Sequence, residues 1–247
     1  MKNPYGAKVM SHKALFSAVL FFMLLFFAAP VQCADYSFGN ILDIMRQRHE
    51  SIRDYQCIYH SYTARGSKIR DQKFKYYFKK QKLIRMELLT GMYGGAVLIH
   101  NPEKHPGKIR VQAGNPLVLM LQKTFLGEYF DLDSEWVTDL RGNGIHESDW
   151  GWYIEIHRRL LSSGSGRYVG EKQLNGVSVL FYELFSEDPE KTFSVKREEV
   201  WIDPVSYFPV KYIQYDKDGV IIRQAITEDL AFDTGVDEDL LVFGKGK

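Results

Sequence analysis

Residues 193–230 read FSVKREEVWIDPVSYFPVKYIQYDKDGVIIRQAITEDL, and this stretch decides the fold. Val200, Ile202, Val210, Tyr212, Ile213, Tyr215, Ile222 and Ile226 are β-branched or aromatic, the residue types that fit a pleated, half-buried surface. Two turn signals divide the run. Asp203-Pro204-Val205-Ser206 ends a first strand and Asp216-Lys217-Asp218-Gly219 ends a second. Links this short join antiparallel neighbours, because a parallel pair needs a crossover of about a dozen residues or more. The spacing therefore predicts a three-stranded meander.

At the other end of the chain the pattern is of another kind. Lys2, Lys8 and Lys13 precede an apolar run from Ala14 to Ala29, the order of a secretory signal peptide. The competing reading is a retained anchor, against which stands a run of 16 residues where a span needs roughly 20. Cleavage is expected after Cys33 or Ala34. Pro30-Val31-Gln32 lacks the Leu and small residues that a lipoprotein-processing site requires before Cys33. The domain expected is 35–247, after a signal peptide at 1–34. Loss of the three lysines takes the formal charge from +1 to about −2, which gives no reason to expect nucleic acid as a partner. Cys57 is then the one cysteine left, so no internal disulfide is available and a packed core must hold the fold. Its place in an alternating strand predicts a buried, inert thiol.

Working inward, residues 40–54 carry Ile41, Ile44, Met45 and Ile52 at helical spacing, with Asn40 placed as N-cap. The period then becomes two. Residues 55–64 and 73–79 read as strands, with Phe74, Tyr76 and Phe78 on an oily face and Lys73, Lys75, Tyr77 and Lys79 on a wet one. Strands follow at 83–89, 96–101 and 108–112. The run PLVLMLQKTFL (116–126), with Pro at a first helical position, and DWGWYIEIHRRLL (149–161) predict helices inserted midway. Trp150, Tyr153, Ile154, His157, Leu160 and Leu161 form the apolar side of the second. Ser162-Ser163-Gly164-Ser165-Gly166 reads as a flexible linker, and Asn175-Gly176 as a hairpin turn. Residues 236–243 (VDEDLLVF) read as a short apolar plug.

Little here is chemistry. The seven histidines lack the close pairing of a zinc site, and neither metal nor cofactor is expected. Asp131, Asp133, Glu135 and Asp139 are the carboxylates that could serve hydrolysis, in a loop where acids also simply keep a surface solvated. No nucleophile elbow or phosphate-binding glycine pattern occurs. What the chain has in excess is oil in the insert, which can either fill a core or lid a cavity that admits an apolar ligand.

The order of elements, with the motifs FKKQKLIRM (78–86), GAVLI (95–99), VWIDP (200–204) and FPV (208–210), resembles the periplasmic outer-membrane lipoprotein-sorting and carrier superfamily, the LolA/LolB-like fold. The resemblance implies a mainly β (α+β) fold, a half-open antiparallel β-barrel. Roughly nine to eleven strands are expected, with an N-terminal helix and a midway helical insertion over the concave face. It implies a non-catalytic, monomeric binding or carrier protein in the periplasm, whose partner is a lipoprotein acyl chain or another lipid. The alternative is an envelope sensor or scaffold that meets a protein partner without moving lipid. The ligand-facing residues implied are Phe74, Tyr76, Phe78, Met86, Leu117, Leu119, Leu121, Phe125, Trp150 and Trp152. In the classical carrier an Arg-Pro pair after the second strand helps hold the lid. Lys80 and Gln81 stand there in this chain, so Lys80 is the expected lid contact, without the bidentate fork of arginine.

Overall fold

The computed structural model describes residues 36–91 and 93–242, the Leu126 side chain excepted. The apolar leader and Phe243 lie outside the described residues. A helix, α1 (Phe38–Ser51), leads into β1 (Asp54–Arg65), β2 (Lys68–Lys79), β3 (Leu83–Leu88), β4 (Val97–His100) and β5 (Lys108–Gln112). The insert follows as α2 (Pro116–Leu121), a π-helical turn over Gln122–Leu126, β6 (Tyr129–Asp131) and α3 (Trp150–Ser162). Then come β7 (Gly164–Leu174), β8 (Val177–Ser186), β9 (Arg197–Ile202), β10 (Pro209–Tyr215) and β11 (Ile221–Phe232).

All eleven strands join one sheet in the order β6-β5-β4-β3-β2-β1-β11-β10-β9-β8-β7, each neighbour antiparallel. Two meanders are therefore stitched together where the last strand returns to the first. The sheet does not close, and helices cover one face, as the half-open barrel expected from the sequence requires. The three-stranded run of 193–230 falls at β9 to β11, with the Asp203 and Asp216 carboxylates accepting backbone N–H bonds inside the two turns. At Asn175-Gly176 both residues have positive φ, 52° and 81°, the twist that suits a two-residue hairpin.

The helices sit where their caps and oily faces put them. α1 starts earlier than the 40–54 pattern suggested, with Ser37 rather than Asn40 as its N-cap. Phe38, Ile41, Leu42 and Met45 are buried along it. α3 is capped by Asp149, whose carboxylate accepts from Trp152 N at 3.1 Å, and buries Trp150, Tyr153, Ile154, His157 and Leu160. Both helices join the inner sheet residues in one core with Tyr55, Phe78, Ile84, Tyr182, Ile202 and Phe208. Each such large apolar side chain contributes about 1.5–3 kcal/mol on burial.

The segment Ser162–Gly166 is not a linker. Its Gly164 and Gly166 open β7, and a Cβ on Gly164 would stand 2.1 Å from the Phe185 carbonyl oxygen. One on Gly166 would press at 3.0 Å on Phe38 and Leu184. Small residues are required there because β7 begins pressed against β8 and the end of α3, and then passes Phe38 of α1. On the outer face Tyr77 departs from the expected wet side: it is buried with Leu83, Val236 and Leu241, under the C-terminal plug.

Candidate functional site

Between the inner face of β1–β5 and the insert lies an apolar-walled cavity of about 1170 Å³, its open mouth included. Phe74, Met86, Leu88, Leu98, Val111 and Phe130 line its sheet side, and Val118, Trp136, Val137 and Ile145 its insert side. Much of that volume is the open mouth, and the cavity proper holds about 180 Å³, similar to an engineered apolar cavity of about 150 Å³ that admits benzene. Two smaller clefts, of about 520 and 480 Å³ with their open mouths included and about 30 Å³ each within, adjoin α3. Arg223 lines all three.

The sheet register makes this meeting point. Leu184, Glu198, Gln214, Arg223, Thr63 and Arg70 are successive cross-strand partners from β8 to β2, so a polar row crosses the inner face. Glu198 is fully buried and accepts from Gln214 Nε2 at 3.0 Å, while its other oxygen lies 2.9 Å from His157 Nε2. The other nitrogen of that ring, Nδ1, lies 2.7 Å from the Tyr153 carbonyl oxygen, which can only accept, so Nδ1 carries its hydrogen. One proton is accordingly shared along the His157–Glu198 line, and it fastens α3 to the sheet. Nearby, the Tyr59 and Tyr212 hydroxyls bond at 3.0 Å, and Tyr76 bonds Ser148 at 3.2 Å. Burial raises the pKa of Tyr76, Tyr153 and Tyr212 well above the usual phenol value, so these hydroxyls stay neutral. Cys57 lines the second cavity, yet burial pushes its thiol up to about 12 and leaves it inert.

The residues proposed from sequence divide. Phe74 and Met86 line the large cavity, and Tyr76, Trp150 and Trp152 the 520 Å³ one, with Trp152 reaching the third as well. Trp150 is at the same time core, 6% exposed. Phe78 stacks on Tyr55 at 4.7 Å and belongs to the packed interior. Leu117, Leu119, Leu121 and Phe125 line none of the three cavities. Leu117 is 64% exposed and Phe125 77%, and from that stretch Val118 and Gln122 face the large cavity instead. α2 is a single short helix, apolar on every side, so one face meets the cavity and the rest cannot. Lys80 holds a different helix: its ammonium donates to the His49 carbonyl at 2.6 Å and so satisfies an orphan acceptor in the last turn of α1.

Sequence reading missed Arg223, Glu198, Gln214 and Arg70. Alternation was the available signal, because Glu198 shares its face with Val200 and Ile202, and Arg223 with Ala225. Two of the four carboxylates weighed for hydrolysis are otherwise engaged, and the other two face solvent. Asp131 pairs with Lys108 at 2.7 Å, Asp133 and Glu135 are exposed, and Asp139 ties the 139–143 turn by accepting from Arg141 N and Asn143 N. Among the described residues no group of three or more His, Cys, Asp and Glu could hold a metal ion, and no helix is long and apolar enough to cross a membrane.

Behind the cavity wall His100 on β4 faces His146, with ring centroids 5.9 Å apart. Burial first, then the charges of His146 and Lys82, hold His100 down to about 4, against weaker opposing pulls from a backbone hydrogen bond at Lys108 and from the Asp149 charge. In the unfolded chain the ring titrates near its ordinary value of about 6.5. Between those values the unfolded chain binds a proton that the folded one refuses. The stability His100 contributes is thus complete above about pH 6.5 and lost as pH falls toward about 4. Thermal melts taken across that window should fall less steeply for His100→Gln than for the parent; parallel curves would exclude the assignment.

No family model matches the chain, and no curated protein matches it. Solved structures with a similar course of chain do exist. One is a LolA superfamily protein from Nitrosomonas europaea, at 8% identity and a TM-score of 0.35, the match covering 83% of this chain and 97% of that one. Another is the lipoprotein LppX of Mycobacterium tuberculosis, at 10% identity and a TM-score of 0.46, covering 80% and 97%. A third is MucB in its complex with MucA from Pseudomonas aeruginosa, at 13% identity and a TM-score of 0.49; the match covers 83% of this chain but spans only 60% of that one. At such identities the likeness concerns the fold, and the site stands on its own residues.

Proposed function

We propose that this chain is a non-catalytic binding protein for acyl chains or similar hydrophobic ligands, exported to the periplasm by its N-terminal segment. The observation that carries the reading is the cavity of about 1170 Å³, its open mouth included, walled by Phe74, Met86, Leu88, Leu98, Val111 and Phe130. A well-packed interior leaves few voids larger than a water molecule, so an apolar-walled cavity of about 180 Å³ behind that open mouth stands out as a place for an apolar ligand. An apolar ligand gains about 25 cal/mol for each Å² it removes from water there. The acids near the site are engaged in turns and ion pairs, which supports binding rather than hydrolysis.

The neutral fluorescent methyl ester of parinaric acid tests this directly. Mature protein should take it up with micromolar affinity or better, and native mass spectrometry of protein purified from cells should find lipid. Protein that is ligand-free and also excludes the ester would end the proposal. A second reading, contact with an envelope partner without transfer of lipid, is favoured by α2, where Leu117, Met120 and Leu121 are exposed on the helix whose Val118 lines the cavity. A stable protein partner in a pull-down, together with the absence of extractable lipid, would select it.

A further inference from the structure

We propose that the ligand is an acidic amphiphile, its anionic oxygen group held by Arg223 beside α3 while its apolar tail occupies the large cavity; this deepens the hydrophobic-ligand reading and rests on it. Arg223 is the residue common to the three cavities. Its side chain is 15% exposed and donates to the Tyr59 hydroxyl, its Nη2 stands 3.9 Å from Asp139 Oδ2 at the loose limit of an ion pair, and its Nε has no hydrogen-bond partner. A buried guanidinium has five N–H donors, so one bond to a neutral hydroxyl and one loose ion pair leave room for a further acceptor.

Its surroundings favour an anion. Arg141 lines the smallest cavity with Arg223, and burial together with the neighbouring Arg223 charge pushes its guanidinium below the ordinary value. The acids nearby are committed elsewhere. Glu198 is bound by His157 and Gln214, Asp139 by the backbone of its own turn, and Glu147 by Gly144 N, while Asp149, which lines the 520 Å³ cavity, caps α3 through Trp152 N and has the Lys82 ammonium 3.5 Å from its other oxygen. In the 520 Å³ cavity the Trp150 Nε1 and Tyr153 hydroxyl groups, buried like Arg223 Nε, also lack partners. Three residues that each carry a buried donor without a partner therefore surround one small space, and that space adjoins the apolar cavity through Tyr59, Glu147, Ser148 and Arg223, which line both. A carboxylate or phosphate accepts several such bonds at once, and charge-assisted bonds to guanidinium are about twice as strong as neutral ones.

The test compares parinaric acid with its methyl ester, at a pH where the acid is ionised, on the parent and on Arg223→Gln. The parent should bind the acid at least about tenfold more tightly than the ester, and Arg223→Gln should remove that preference while leaving ester affinity within about twofold. Arg223→Lys, which keeps the charge without the fork, should retain part of the preference. Asp139→Asn, which removes the competing charge but keeps an acceptor for the turn, should tighten acid binding about threefold. These two variants decide the question if Arg223→Gln does not fold. Equal affinity for acid and ester in the parent, or a preference that survives Arg223→Gln, overturns the proposal while leaving the hydrophobic-ligand reading intact. Failure of both probes to bind overturns both. Inorganic phosphate that displaces the acid as strongly as the amphiphile itself does would show a tail-independent anion site and overturn it in this form.

Discussion

Glu198→Ala is expected to destabilise the fold by about 3–5 kcal/mol, the usual cost of removing one partner from a buried charged pair. Glu198 has no exposed surface, and two side chains depend on it: His157 Nε2 at 2.9 Å and Gln214 Nε2 at 3.0 Å. Deleting the carboxyl leaves both without a partner in the interior. It also opens a void beneath α3, because alanine does not reach the ring. The other side of that ring cannot compensate, being already bonded to the Tyr153 carbonyl and stacked on the Tyr153 ring at 3.8 Å. Glu198→Gln should behave differently. Its amide can donate to a neutral His157 Nε2 and accept from Gln214, so the loss is confined to about 1 kcal/mol. Urea unfolding of the three proteins decides the matter through the midpoint at unchanged slope. Equal midpoints for Ala and Gln would mean that the pair does not fasten α3 to the sheet.

The contrast between the legible and illegible parts of this sequence follows from range. The meander of 193–230, the Asn175-Gly176 turn and the buried face of α3 were legible because their causes are local: alternation, turn chemistry, helical spacing. Cys57 was legible for the same reason. Tyr77 was not, since alternation alone places it among the lysines and only the distant Val236 and Leu241 cover it. Ser162–Gly166 has the composition of a linker, and its glycines are explained only by the closeness of Phe185 and Phe38. The insert helix 116–121 is apolar throughout, so it carries no periodicity from which to choose a face. Val118 faces the cavity and Leu121 does not for reasons of tertiary placement. Arg223 and Glu198 lay within reach of period-two reading, but a charged residue among apolar neighbours on a strand is ordinarily assigned to solvent. The polar row becomes visible only when the register sets β9, β10, β11, β1 and β2 side by side.

That distinction between wall and surface supplies the second large effect. Leu98→Asp should lower affinity for the neutral ester at least about a hundredfold, or about 2.7 kcal/mol. Leu98 sits on β4 between Met86 and Val111 and lines the large cavity while only half-buried. A carboxylate placed there keeps access to solvent in the free protein, so the cost to folding is mainly the poorer fit of aspartate to a strand, about 1 kcal/mol. The melt should fall by about 2–4 °C for each kcal/mol in a chain of this size. A bound apolar ligand covers the same carboxylate, and dehydrating a charge without a partner costs several kcal/mol. Leu121→Gln is the matched control: Leu121 is 44% exposed and lines none of the cavities, so neither the melt nor the affinity should change. Outright unfolding of Leu98→Asp would make that wall part of a closed core. Ester affinity equal to the parent's would move the ligand out of this cavity, whereas loss of binding in Leu121→Gln as well would move it toward the exposed side of α2.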